Sequence, residues 1–548
     1  MKNKKFKKDK NSKKNNKKFE NHSYSKNKDV SEKVTEIKIS DLSPEFSKKT
    51  MMVSGVIDKI VQTGGPTIFV VSDGTGTFGL KGFEGPGERA YPEINDGDTI
   101  KAIIVIEEFK GELEGEIKKI EKLNEGEHKK FLEKILNLQK KRAEIKPIEF
   151  LVKSKILDKL RSSFIKAATE IRLAIIQSRP IIVRHHNDTD GYCAGYSLER
   201  AIIPLIAKEQ TSEKAAWEFF LRAPSAAPFY EIDDSIRDAA QSLRNVAKFS
   251  NKMPLVIIAD NGSSPEDLLG IMHGKVHGMD FIVIDHHYSE KDVISNEVLT
   301  HINPFLVGED GAKFSAGMLC SELARLINPL ENIKQIPAMA GLADRIDLGD
   351  KDIIEKYLKI AKEDGYSKEL LNNISSVVDF VSAKVRFMEV REYIGVLFGE
   401  PREKQKQLVG LLAPHIEKLK QKGLAISNAN VKIEKIGKVT LQSLDIDNTF
   451  PGFGFFPKPG MCVGMVHDDL QKTKKVTSLV SIGIMNTALT IRATDKANFS
   501  VHELISYLNE KSPNSFVEGG GHKNAGSISF LPKMQEEVLK LFKEFIKN

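Results

Sequence analysis

The sequence predicts an α/β protein built on a parallel sheet, preceded by a small all-β barrel and followed by a smaller α/β lobe. Three runs carry the central part of that prediction. Pro180-Ile-Ile-Val-Arg-His leads into HNDTDG (His186 to Gly191), Leu255-Val-Ile-Ile-Ala leads into Asp260, and Phe281-Ile-Val-Ile leads into Asp285-His286-His287. β-Branched runs of this length, stopped by turn formers, read as strands covered on both faces. In open α/β sheets ligands gather beyond the carboxyl ends of such strands, so the three polar clusters are expected in one crevice.

The other elements follow in chain order. Residues 1–34 are expected to form a disordered tail. The first 28 residues hold twelve lysines against Asp9 and Glu20, a charge of +10, where the whole chain carries +7, and such a composition buries too little apolar surface to order itself. The basic balance is therefore a property of the tail, which suits either a phosphate-neutralising arm or a solubilising one. Residues 35–125 read as a barrel domain. Runs at Met51 to Val61, Thr67 to Val71, Phe78 to Phe83 and Thr99 to Glu107 are punctuated by Gly64-Gly65-Pro66 and Asp73-Gly74-Thr75-Gly76, and short strands with glycine turns suggest five strands closing on themselves. Phe69, Phe78, Phe83 and Tyr91 are available to stack on bases or to fill the barrel.

Residues 126–176 place Phe131, Ile135 and Leu138 at helical spacing in a Lys/Glu-rich background, which predicts a solvated helical linker. The main α/β domain is expected over 177–348, a helical connector over 349–424, and the smaller lobe over 425–548. That lobe mixes β runs (Val431 to Ile436, Thr477 to Ile484, Ala488 to Arg492) with a helix at Val501 to Asn509 and a strand at Ser527 to Phe530.

Carboxylates with one or two imidazoles and no thiolate suit Mn²⁺ or Mg²⁺ better than structural zinc, and several together can hold two ions about 3.5–4 Å apart. Such a pair activates water and clamps phosphoryl oxygens, so hydrolysis of a phosphodiester is the expected reaction. Without cations the clustered charges would repel one another. In GGGH (Gly519 to His522), three glycines would let backbone N–H groups approach an anion as a phosphate nest, with His522 adding a hydrogen bond.

Together these motifs resemble the DHH phosphoesterase superfamily, and within it the RecJ-like single-strand exonucleases of archaea. H-x-D-x-D-G is matched by His186, Asp188, Asp190 and Gly191, the strand-closing Asp by Asp260, and the name-giving motif by Asp285-His286-His287. A lone Asp at a helix end is matched by Asp344, with Asp347 as a second candidate, and GGGH is the signature of the DHH-associated C-terminal domain. IFVVSDGTG resembles OB-folds of the tRNA-anticodon-binding type, and OB-folds hold single strands.

The resemblance implies that His186 and Asp188 ligate one ion, that Asp190, His286 and Asp344 ligate another, and that Asp260 bridges them. It implies that His287 lies beside the scissile phosphate, that Asp285 orients the histidines, and that Arg492, Gly519, Gly520, Gly521 and His522 face the substrate. The implied cofactors are two divalent cations, Mn²⁺ first and Mg²⁺ as the alternative. Implied partners are single-stranded DNA or RNA and proteins of replication or repair. His186 stands where bacterial RecJ proteins carry Asp, which places the chain nearer the archaeal branch. His185 has no motif position and reads as a neighbouring polar residue.

Three rival readings are weaker. A small-oligonucleotide or cyclic-dinucleotide phosphodiesterase would not need the barrel. A related pyrophosphatase would carry its leading His where Arg184 stands, and a non-catalytic replication or repair scaffold would have lost ligands that are all present here. Cys193, Cys320 and Cys462 are widely spaced and odd in number, which argues against a disulfide framework and a zinc knuckle. No apolar run reaches the ~18 residues needed to cross a bilayer, so a cytoplasmic protein without membrane association is expected. Polarity and the choice between DNA and RNA stay open.

Overall fold

A computed structural model describes residues 34–547, apart from 110, 211–212, 226, 250–251, 291, 330–331, 350, 386–390, 451 and 453–454. The lysine-rich tail lies outside the described residues. Five antiparallel-rich strands, β1 (Thr50–Gln62), β2 (Thr67–Ser72), β3 (Thr77–Gly82), β4 (Thr99–Phe109) and β5 (Glu112–Lys122), close a barrel in the order β1-β2-β3-β5-β4. Closure leaves no free edge. Alternating side chains such as Val53, Ile57, Phe69, Val71, Leu80, Ile104 and Ile106 fill it. Phe69 and Phe78 are thus barrel core, and Tyr91 packs edge-on against Phe69. Phe83 is 61% exposed, and Phe109 at 53% lies under the Lys81 ammonium at 4.6 Å.

The central sheet contains β6 (Ile181–His185), β7 (Phe220–Pro224), β8 (Leu255–Ala259), β9 (Asp280–Ile284) and β10 (Thr300–Ile302), all parallel, in the order β10-β9-β8-β6-β7. Alternation along the strands feeds two cores. Ile181, Val183, Leu255 and Ile257 join the large helical core, while Ile182, Val256, Ile258 and Val283 pack against the layer of helices Ile232–Phe249 and Pro265–Val276. Register then decides the site: His185 pairs with Ala259, and Ala259 with Ile284. The next residues of the three strands, His186, Asp260 and Asp285, therefore leave the sheet side by side.

Two expectations need correction. The stretch 126–176 is two helices, Glu125–Ala143 and Lys155–Ile176. The second is no solvated linker: Leu157, Leu160, Phe164, Ala167, Ala168 and Ile171 are buried in the large core. The helices beyond 349 likewise add Ile354, Tyr357, Leu371 and Val378 to that same core instead of merely connecting lobes.

The smaller lobe is a six-stranded sheet of β11 (Lys432–Ile436), β12 (Val439–Asp445), β13 (Leu479–Met485), β14 (Ala488–Ala493), β15 (Glu518–His522) and β16 (Ala525–Ser529), ordered β11-β12-β13-β14-β16-β15. GGGH is therefore an edge strand and not the expected nest. Glycine has no intrinsic strand preference; close approach dictates it here, since a Cβ on Gly519 would lie 2.3 Å from the Ser527 carbonyl oxygen and one on Gly520 3.2 Å from the Phe229 ring. Among the described residues no helix is long and apolar enough to cross a membrane.

Candidate metal centre

The first motif folds as a loop into a helix. Asp188 caps helix Thr189–Glu209, accepting from the Gly191 N–H at 3.0 Å, while its other oxygen meets His186 Nδ1 at 2.9 Å. Gly191 is required at this turn because an added Cβ would sit 2.1 Å from the His186 carbonyl oxygen. Asp190, in the first turn, is buried. Its Oδ1 accepts from Ser315 Oγ (2.6 Å) and the Gly317 N–H (3.1 Å), whereas Oδ2 has no hydrogen-bond partner among the described residues.

Asp260 stands in the left-handed backbone region, φ 61°, which Asp tolerates better than most residues. From there its carboxylate reaches both sides: Oδ1 is 3.4 Å from His286 Nε2 and Oδ2 is 3.7 Å from His186 Nδ1. Asp344 ends helix Ile336–Ala343 with Oδ2 3.1 Å from His286 Nε2. Asp347 instead pairs with Lys368 at 2.9 Å. The donor atoms form four groups, each within 4.8 Å: His186/Asp188/Asp260, Asp190/Asp260/His286 and Asp260/Asp285/His287 share Asp260, and His286/His287/His522 links the floor to the roof.

Asp285 works one layer back. One oxygen accepts from the His286 N–H (2.8 Å), the His287 N–H (3.3 Å) and His287 Nδ1 (2.8 Å). Burial would raise this carboxyl, but charge and hydrogen bonding from His287, with charge from His286, hold it well below the carboxylate range. The opposite holds for Asp190 and Asp344, which burial and then neighbouring Asp260 push upward. Burial would lower the His286 imidazole, yet Asp344 and Asp260 raise it well above its usual value. Carboxylates crowded in this way repel one another, and a nearby cation relieves that repulsion. His185 has a different fate. It is fully buried, bonds the His186 carbonyl oxygen through Nδ1, and is held near pKa 3 by burial and by Arg222.

The smaller lobe supplies the roof of the cleft, a cavity of about 370 Å³. His522 stacks over His287 at 5.0 Å and meets His286 edge-on at 4.8 Å. Burial and these two rings push its pKa well below the usual value, leaving it neutral. Arg492, Gly520 and Gly521 also line the cavity; Gly519 does not, and its N–H points to Glu266 Oε1 at 3.4 Å. Burial and the nearby Arg345 lower the Arg492 guanidinium.

A profile of the DHH family, N-terminal domain, matches residues 180–343. The solved structure named "Member of s1p family of ribosomal proteins PF0399 DHH domain" superposes with a TM-score of 0.72 at 35% identity, covering 77% of this chain and 99% of that one. The chain belongs to the DHH family. The uncharacterized protein MJ1198 of Methanocaldococcus jannaschii is 35% identical over 542 residues, 93% of this DHH protein and 71% of the relative. RecJ from Thermus thermophilus, solved in complex with Mn²⁺, shares the fold at a TM-score of 0.50 and 16% identity over 74% of this DHH protein and 56% of RecJ.

One residue of this DHH protein's site carries no sequence signal. Lys458, in the smaller lobe, donates to the Asn187 carbonyl oxygen (2.7 Å) inside the first motif and to Ser382 Oγ (3.0 Å). It is brought there by Phe456, which is buried in the large core against Phe380. Asp379 completes the bracket, accepting from the Thr189 N–H (3.1 Å) and hydroxyl (2.9 Å). A lone lysine 271 positions from the motif residue it steadies has no local pattern; only the fold joins them.

Proposed function

We propose that this DHH protein is a two-metal phosphodiesterase that shortens single-stranded DNA or RNA from one end. The observation that carries the reading is the set of donor groups sharing Asp260 at the floor of an interlobe cleft, His186/Asp188/Asp260 and Asp190/Asp260/His286 foremost. The buried, unbonded oxygen of Asp190 and the crowding that raises Asp190 and Asp344 fit a cation-binding role. His186, Asp188 and Asp260 would hold one ion, and Asp190, Asp260, His286 and Asp344 the other. Bound Mn²⁺ or Mg²⁺ would activate water and neutralise charge on the phosphoryl group.

The remaining roles belong to the chain. Asp285 engages His287 Nδ1, which fixes the ring, and its charge raises the His287 pKa against the effect of burial, favouring the imidazolium, whose Nε2–H can donate to a phosphoryl oxygen. Arg492 meets a phosphate from the roof, and neutral His522 donates beside it. Lys458 and Asp379 keep the first motif in its ligand geometry. On the barrel, exposed Phe83 offers a surface on which a base can stack.

The test is hydrolysis with Mn²⁺ of end-labelled single-stranded DNA and RNA blocked at either end. A ladder shortened from one end only supports the reading. Cleavage confined to dinucleotides points to a small-oligonucleotide enzyme, and no cleavage of any strand refutes catalysis.

A further inference from the structure

A second groove, of about 750 Å³, opens from the cleft and shares Arg345, Arg492 and Ala525 with it. Lys475, Lys496, His467 and Asn524 continue its wall. Its acids are already engaged: Asp468 pairs with Arg345 at 2.9 Å, and Asp495 accepts from the Asn524 amide. Its cations are mostly free. Among the described residues Lys475, Lys496 and Arg492 have no carboxylate at ion-pair distance. Four cations against two acids give the groove a positive balance, although the chain beyond the tail is slightly acidic. A local field of that kind attracts a polyanion.

We infer that this groove carries the part of a single strand lying beyond the cleft, with Lys475 and Lys496 on successive phosphates and Arg345 exchanging Asp468 for a phosphate as the strand arrives. The inference rests on the reading above, since it needs a nucleic-acid strand in the cleft. Arg345 is the pivot. It sits at the boundary of both cavities, directly after Asp344, and its left-handed backbone (φ 59°) fixes the direction in which its side chain leaves.

The experiment is fluorescence-anisotropy titration of the full chain with 3-nucleotide and 12-nucleotide oligothymidylates, in EDTA so that nothing is cut, at several salt concentrations. Lys475→Gln/Lys496→Gln is expected to weaken the 12-mer about tenfold and the 3-mer less than about twofold, and to lower the salt slope for the 12-mer by about 1.4, the value for two phosphate contacts on a single strand. Asp468→Asn, which frees Arg345, is expected to tighten the 12-mer. Equal loss at both lengths, or an unchanged slope with the 12-mer, overturns the inference. Hydrolysis by the unmodified chain with Mn²⁺ is scored separately. Length-dependent binding loss in a chain that cuts nothing sinks the catalytic reading and leaves the groove standing, while cutting without length dependence does the reverse.

Discussion

Asp260→Asn is the sharpest single perturbation of the proposed centre. The amide keeps the size of the carboxylate, and Asn shares its tolerance of left-handed backbone, whereas Ala at φ 61° would add about 1–2 kcal/mol of strain and blur the result. Only the charge changes, and it is the one charge common to both proposed ion sites. Removing it relieves repulsion on Asp190 and Asp344 but also takes a charge partner from His186 and His286, so the ion-free variant is expected to melt close to the unmodified protein. Its response to metal should collapse. At a Mn²⁺ concentration 100 times the dissociation constant the unmodified protein gains about 2.7 kcal/mol, and a variant binding 100-fold more weakly gains only about 0.4 kcal/mol. Losing a ligand shared by both ions is expected to lower kcat at least ~10³-fold, about 4 kcal/mol of transition-state stabilisation. Thermal melts with and without Mn²⁺, calorimetric titration and hydrolysis rates read all three quantities. An Asn variant that keeps a tenth of the activity, or the full metal-induced shift, refutes the shared-ligand assignment.

Lys458→Met retains the length of the side chain but removes its bonds to Asn187 and Ser382; it is expected to weaken Mn²⁺ binding several-fold in calorimetry, with Lys458→Arg restoring part of the loss. His301 is buried between Ser263 and Ser295 and held near pKa 4 by burial. A depressed histidine pKa means that the unfolded chain binds the extra proton, so stability falls as pH drops from about 6.5 towards 4. His301→Gln is expected to reduce that slope by up to about 1.4 kcal/mol per pH unit in paired denaturant titrations. Deleting residues 1–28 removes twelve lysines and should lower the salt slope of binding to long strands while leaving kcat on short, saturating ones unchanged.

How much of this was legible in the sequence depended on whether the signal was local. β6, β8 and β9 announce themselves because buried parallel strands need β-branched runs, and a polar residue closing such a run has few structural reasons to be there. His186, Asp188, Asp190, Asp260, Asp285 and His286 could be nominated for that reason and Asp344 by family resemblance alone, and the fold brings them together. β5 is harder to see. Its sequence is mostly charged, and a bulge opposite Ile103 and Ile104 shifts the alternation of Leu113, Ile117 and Ile120. Helix Lys155–Ile176 was masked by charge on its outer face, although its inner face is continuous core. GGGH misleads for the opposite reason, since its glycines sit in a strand where Ser527 and Phe229 leave too little room for a Cβ. Phe69 and Phe78 show the limit of residue type as a guide: the same aromatic serves a barrel interior or a stacking surface, and strand phase alone decides.

Hydrogen bonds join the two lobes, among them those from Lys458 to the Asn187 carbonyl oxygen and from the Gly519 N–H to Glu266. If the proposed strand runs between these two contacts, they make the opening an eyelet and not a jaw. On the proposed reading a strand enters such an eyelet only by offering a terminus, and a closed circle of the same nucleotides would be excluded however well its phosphates and bases fit. Selection for ends would then be a matter of topology, imposed before any chemical group is examined, and circular single strands should survive conditions that consume their linear counterparts.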